Sequence, residues 1–225
     1  MDASETFLRL DPDKRERVVA VAAEEFAQHG FAGASVNRIV DRLGIAKGSL
    51  FKYFGTKEGL FRFVFGQAVG VFKARLKKVR AASEDQDFFA RLRQSLEEGV
   101  RFIADHPVVY RIYLKMLFQE NFPLREMLLE QVRLYSADYL TPLVEQGKAR
   151  GDLRPEVDTA AAVFVLDALM DRFLQAHAVR FMDAGLGLYG ADGAHVQACM
   201  DRLLDVARAG LAAPRNPQSQ GMDHV

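Results

Sequence analysis

Apolar side chains recur every three or four residues along nearly the whole chain, and there is almost no strand-type alternation. Val18, Val19, Ala22, Ala23 and Phe26 form one stripe. Asp11 with Pro12 marks its start and Gly30, a natural left-handed stop, its end. Ser35 is placed to cap a short second helix, residues 36–43, with Val36, Ile39, Val40 and Leu43 on its buried face and Gly44 at its end. A third short helix follows over residues 46–53. Gly55 breaks the chain, and Thr56 caps a long fourth helix with Leu60, Phe61, Val64, Phe65, Ala68, Phe72, Leu76 and Val79 on one face. Phe88, Phe89, Leu92, Leu96, Val100 and Ile103 mark a fifth. Pro107 opens a sixth, and Pro123 in "ENFP" separates it from a seventh that reaches Gly147. Pro142 inside that run is expected to kink or shorten it. Asp158 caps an eighth helix running to Met182, and a ninth spans residues 194–212. The pattern predicts an all-α protein.

A chain of 225 residues suffices for one or two domains with a sizeable core. Its formal charge is zero, so any contact with nucleic acid has to come from a local patch. Such a patch exists. Between Ser35 and Lys57, five basic side chains (Arg38, Arg42, Lys47, Lys52, Lys57) stand against the single acid Asp41. The second and third helices have the proportions of a helix-turn-helix, each about two turns long and joined at Gly44. Val36, Ile39, Val40, Leu43, Ile45 and Leu50 supply a small core, which leaves Lys47, Gly48, Ser49, Lys52 and Tyr53 facing outward. A basic, partly aromatic helix of this length suits the DNA major groove. Gly48, without a side chain, lets the helix N-terminus approach base edges and phosphates closely. A solvated basic helix face is the plain alternative, and the spacing and glycine punctuation favour nucleic acid.

Other chemistries find little support. One cysteine, Cys199, cannot form an intrachain disulfide. The N-terminus lacks the basic start and apolar core of a signal peptide. The most apolar run, "TAAAVFVLDALM", is interrupted by Asp167 and too short to span a bilayer. A cytoplasmic protein with no membrane segment is expected. The five histidines are scattered without metal-ligand spacing, and no phosphate-binding glycine loop or nucleophile elbow occurs. No enzymatic activity, cofactor or metal is expected.

The segment from Arg17 to Leu60 resembles the DNA-binding domain of the tetracycline-repressor (TetR) family of bacterial transcription regulators. The resemblance lies in "AAEEFAQHGFAGASVNRIV" followed by "RLGIAKGSLFKYFGTKEGLF". Gly30 and Phe31, then Ser35, then Gly44, Ile45, Gly48, Leu50, Phe51, Tyr53, Phe54, Lys57 and Glu58 match the family pattern in type and spacing. The match covers about a fifth of the chain. The family usually carries tyrosine where this chain has Phe51, which can pack on a sugar or a thymine methyl but cannot donate a hydrogen bond. The resemblance implies that Ser35, Tyr53, Thr56 and Lys57 hold phosphates and that Lys47, Ser49 and Phe51 read base edges. Asn37 reads an adenine or bridges to phosphate. Lys52 touches phosphate or adds only to the field. Val36 and Gly48 complete the DNA-facing set, while Leu50 and Phe54 serve packing.

It also implies a two-part chain: residues 11–58 a three-helix DNA-binding domain, 59–212 a helical regulatory and dimerisation domain, and 213–225 a disordered tail. The point of division falls within the long fourth helix. The implied partners are a double-stranded, palindromic operator, a second copy docked through the last two helices, and a small-molecule effector that releases a repressor from DNA. Helix eight is apolar on more than one face, as a helix meeting both its own core and a partner would be. The candidate effector lining is Phe65, Ile103, Tyr110, Tyr113, Leu117, Gln131, Tyr135, Asp167 and Asp171. Asp167 and Asp171 share a face and have Arg172 or Arg111, the dimer partner or a ligand as possible counterparts. The competing reading is a helical protein that binds a small molecule or a partner protein without DNA.

Overall fold

The computed structural model describes residues 3–118, 122 and 124–211. Every regular element among them is helical: α1 (Glu5–Leu8), α2 (Pro12–Gly33), α3 (Val36–Leu43), α4 (Lys47–Phe54), α5 (Lys57–Ala82), α6 (Phe88–Asp105), α7 (Pro107–Phe118), α8 (Arg125–Arg150), α9 (Thr159–Ala178) and α10 (Gly193–Leu211), with a 3₁₀ turn at Arg180–Met182. No helix among the described residues is long and apolar enough to cross a membrane.

The expected caps appear where short polar side chains and glycines fall. Ser35 Oγ accepts from the Arg38 N–H, Asp158 Oδ1 from Ala161 N–H, and Thr56 Oγ1 from Gly59 N–H. Gly44, at φ 68° and ψ 34°, closes α3 in the left-handed region.

Three expectations are corrected, and a fourth, the stop at Gly30, holds with an added turn. A short helix, α1, precedes the first expected one; the Ser4 N–H donates to Tyr53 O, and Phe7 is buried 4.7 Å from the Phe54 ring. The first run of α2 does end at Gly30, whose φ of 68° and ψ of 179° are non-helical, and a short helical turn beyond this kink carries the chain to Gly33. Pro142 lies inside α8, which continues to Arg150. The carbonyl deprived of its usual donor belongs to exposed Asp138, where water can replace it. Finally, α9 ends at Ala178, four residues short of Met182, and the 3₁₀ turn takes over. The expected break at Pro123 and the tail from residue 213 lie outside the described residues.

The chain forms two compact units, with α5, α6 and α8 each contributing to both. Among the described residues, the first comprises those up to Lys78 together with Arg101–Leu134; the second comprises Val79–Val100 and those from Tyr135 on. In the first, α1–α4 and the start of α5 share a core with Ile112 and Met116 of α7, Phe122, and Leu128 of α8. An aromatic chain runs through it: Phe31 stacks on Phe122 at 4.8 Å, and Phe61 meets Phe122 edge-on at 5.1 Å. Arg125 closes the end of α7 by donating to Met116 O and Leu117 O. In the second unit, Phe88, Phe89, Leu92, Leu96, Leu140, Leu143 and Val144 are buried. The loop after α8 is pinned there by the Phe88 N–H donating to Asp152 Oδ2 and the Arg154 N–H to Leu211 O.

Candidate nucleic-acid interface

The start of α3 is held against α2 by a buried carboxylate. Glu25 on α2 is 2% exposed. Its Oε1 accepts from Arg38 Nε at 2.8 Å, Arg38 Nη2 at 2.5 Å and the Ser35 N–H at 2.8 Å. Arg38 Nη2 also donates to Gly33 O. One carboxylate therefore ties α2, the start of α3 and the chain between them together. Burial pushes the Glu25 pKa up, but the Arg38 guanidinium and the Ser35 N–H outweigh it and hold the carboxyl below its usual value. A second tie joins Arg42 to Glu24, while Arg17 donates to Arg42 O.

These ties change the charge account. Of the five basic side chains between Ser35 and Lys57, Arg38 and Arg42 are paired to glutamates of α2. Among the described residues, the positive charge without a carboxylate partner resides on Lys47, Lys52 and Lys57. Sequence reasoning missed Glu24 and Glu25 because both acids lie outside the window counted. The signal was their position one turn and more before Gly30, on the helix that α3 must cross.

Lys47, Gly48 and Lys52 are exposed on α4, with Ser49 half-buried beside them. Phe51 is exposed on the same helix, and Lys47 Nζ lies 5.9 Å from its ring centre. Leu50 and Phe54 point into the core, as expected. A Cβ at Gly48 would meet nothing within 4 Å. Asn37 is exposed at the start of α3, and Ser35 and Val36 are half-buried there. Tyr53 is half-buried, its ring 5.6 Å from Phe7. Thr56 is exposed although its hydroxyl is engaged with Gly59 N–H. Lys57 is half-buried, with Nζ 3.3 Å from Ala32 O and 4.8 Å from the Phe31 ring centre. The eleven candidate positions thus lie on α3, α4 and the start of α5 or, for Ser35 and Thr56, immediately before α3 and α5, all in the first unit. Gly59 is a further requirement: a Cβ there would collide with the Phe54 carbonyl oxygen, so the turn between α4 and α5 closes only on glycine.

The effector candidates fall in both units. Phe65, Ile103 and Tyr110 are buried in the first, Tyr113 and Leu117 are half-buried, and Gln131 is exposed and lines no interior. Tyr110 and Tyr113 have ring centres 5.7 Å apart, and Arg133 donates to the Tyr113 hydroxyl. Tyr135, Asp167 and Asp171 are half-buried in the second. Asp167 accepts from Ser136 Oγ and Asp171 from Gln175 Nε2 at 3.0 Å. The expected apolar character of the eighth helix shows in a divided form. Ala162, Val163, Leu166 and Phe173 of α9 are buried, while Phe164 is 74% exposed and Val165 exposed beside it. Val206 of α10 is 71% exposed. Among the described residues, no group of three or more histidine, cysteine or acidic side chains could hold a metal ion.

Known proteins share this arrangement. The sequence family described as "Bacterial regulatory proteins, tetR family" matches residues 18–64, and "Tetracyclin repressor-like, C-terminal domain" matches residues 86–211. The chain is 26% identical over 160 residues to the HTH-type transcriptional repressor NicS of Pseudomonas putida, covering 69% of this chain and 73% of that one. It is 22% identical over 179 residues to the probable acrEF/envCD operon repressor of Escherichia coli K12, covering 78% and 80%. Among solved structures, a TetR family transcriptional regulator from Chloroflexus aurantiacus is similar with a TM-score of 0.69 and 27% identity, over 95% of this chain and 100% of that one. FadR of Bacillus subtilis, solved in complex with stearoyl-CoA, shares the fold at a TM-score of 0.69 and 19% identity, over 87% and 98%.

Proposed function

The chain belongs to the tetR family of bacterial regulatory proteins, and on that premise we propose that it is a ligand-responsive transcriptional repressor. In this reading it works in the cytoplasm as a homodimer on a near-palindromic operator, and a small-molecule effector releases it. The observation that carries the reading is the solvent face of α4. Lys47, Gly48, Phe51 and Lys52 stand exposed on a helix whose opposite side is locked into the core by Leu50 and Phe54. Lys47 and Ser49 read base edges, Phe51 packs on a sugar or thymine methyl, and Gly48 lets the helix end approach. Ser35, Tyr53, Thr56 and Lys57 contact phosphate, and Asn37 and Lys52 flank them. Residues 11–58 act as the reading head and 59–212 as the regulatory part.

The dimer contact is assigned to α9 and α10. Phe164, Val165 and Val206 present apolar surface to water, and a second copy would cover it. Two-fold symmetry then places two reading heads about 35 Å apart, or a multiple of that distance. Release follows if the effector prefers a state with a different head spacing, because a ligand shifts an equilibrium only by its differential affinity. Within the first unit, α7 shares the core of α2–α4, so a displacement of α7 is felt by the helices beneath α4.

Fluorescence anisotropy with duplex DNA over a salt series tests the reading. Affinity should fall steeply as salt rises, with log K linear in log salt. Lys57→Ala should weaken binding to all sequences alike and flatten the salt slope by about one per half-site. Lys47→Ala should cost about 1–3 kcal/mol on the preferred sequence and relax specificity. Binding independent of salt, or absent at low salt, would favour a small-molecule or partner-protein function without DNA.

A further inference from the structure

In the second unit, Arg91 of α6 is 4% exposed, yet among the described residues it pairs with no carboxylate. Its Nη1 donates to the neutral Gln146 side chain at 2.8 Å, and its Nε is buried without a hydrogen-bond partner. Burial first, then the Arg150 and Arg80 guanidinium groups, push its pKa down. Tyr139 and exposed Glu84 oppose this only in part. Arg150 is already engaged, donating to Glu84 O and Gln86 O. Arg80 is half-buried at the end of α5, close enough to favour ionisation of the Tyr135 and Tyr139 phenols, both of which burial pushes up. The Tyr139 hydroxyl lies 2.7 Å from Ser95 Oγ, which itself donates to Arg91 O.

A buried cation is tolerated when it is paired, and an unpaired one is costly. Here Arg91 is buried with one neutral side-chain partner, Gln146, and no anionic partner among the described residues, and Arg80 on α5 is half-buried. We infer that Arg91 and Arg80, flanked by Tyr135 and Gln146, form a binding site for the anionic group of a small molecule, a carboxylate or a phosphate. Guanidinium groups suit either, because their planar N–H fork matches paired oxyanion oxygens. The site rests on the repressor reading only in giving the bound molecule the role of effector.

Calorimetric titration of the intact protein, without DNA, tests the site directly. The probes are octanoate and inorganic phosphate, with octanamide as the uncharged control. Saturable binding of octanoate alone identifies a carboxylate site, and of phosphate alone or both a general oxyanion site; octanamide should not bind. Arg91→Gln should weaken binding at least tenfold, and Arg80→Gln, at a half-buried position, several-fold. Without anion, Arg91→Met should melt no lower than the wild type, because it removes an unpaired buried charge. The proposal is overturned if neither anion binds saturably, if Arg91→Gln and Arg80→Gln both bind as the wild type does, or if Arg91→Met melts well below it. Anion binding that leaves operator affinity unchanged would instead count against the effector role while upholding the site.

Discussion

Glu25 is the residue on which the reading head turns. It is nearly fully buried and takes three donors on one oxygen, two of them from Arg38. Glu25→Gln keeps the shape but removes the charge, so the loss should be about 2 kcal/mol, the scale of hydrogen bonds to a charged group. Thermal melting reads it as a drop of several degrees. The pH dependence has a definite sign. The folded pKa of Glu25 is depressed, so its contribution is fully present above the ordinary glutamate pKa of about 4.3 and is lost as pH falls through the folded value. Glu25→Gln should therefore flatten the acid limb of the stability curve and leave the neutral-to-basic side parallel to wild type. An acid limb of unchanged steepness would show that other carboxylates carry it.

At the scale of elements, two glycines separate fold from function. Gly59→Ala drives a methyl group into the Phe54 carbonyl, so the α4–α5 turn must open, and circular dichroism melts should fall by an amount typical of overpacking, about 1–3 kcal/mol. Gly48→Ala meets nothing within 4 Å, and alanine favours helix by up to about 1 kcal/mol. It should melt at or above the wild type yet bind DNA more weakly, because the added methyl group holds α4 off the base edges. Most of these boundaries were readable from the chain. Ser35, Gly44 and Thr56 are local signals, since each acts on backbone groups within four residues of itself. What escaped was held by distant partners. Four-residue α1 has no periodicity to detect and is pinned by Tyr53 O and Phe54. Gly30 interrupts the helix where a stop was expected, and what escaped was the short turn after it, which rejoins the core through Phe31, stacked against Phe122 about ninety residues away. The positions proposed to face DNA could be picked out because they repeat a spaced pattern. The buried charges Glu25 and Arg91 were not, because nothing local tells a buried ionised side chain from an exposed one.

For the whole molecule, the proposed dimer makes the exposed apolar side chains of α9 and α10 the carriers of the symmetry on which operator recognition would depend. Phe164→Glu should place a charge in the contact between copies and convert the dimer to a monomer in sedimentation velocity at micromolar concentration. Operator affinity should fall by two orders of magnitude or more, because a single head loses the gain from its tethered twin. A variant that still sediments as a dimer would move the interface off α9. The most direct test of the central claim is selection from a randomised duplex DNA pool at low salt, comparing wild type with Lys47→Ala. The account predicts that wild type enriches an inverted repeat with half-site centres about one helical turn, or a small multiple of it, apart, and that Lys47→Ala retains DNA with relaxed sequence preference. Failure of the wild type to enrich any sequence above the starting pool, or enrichment of sequences without two-fold symmetry, would contradict it.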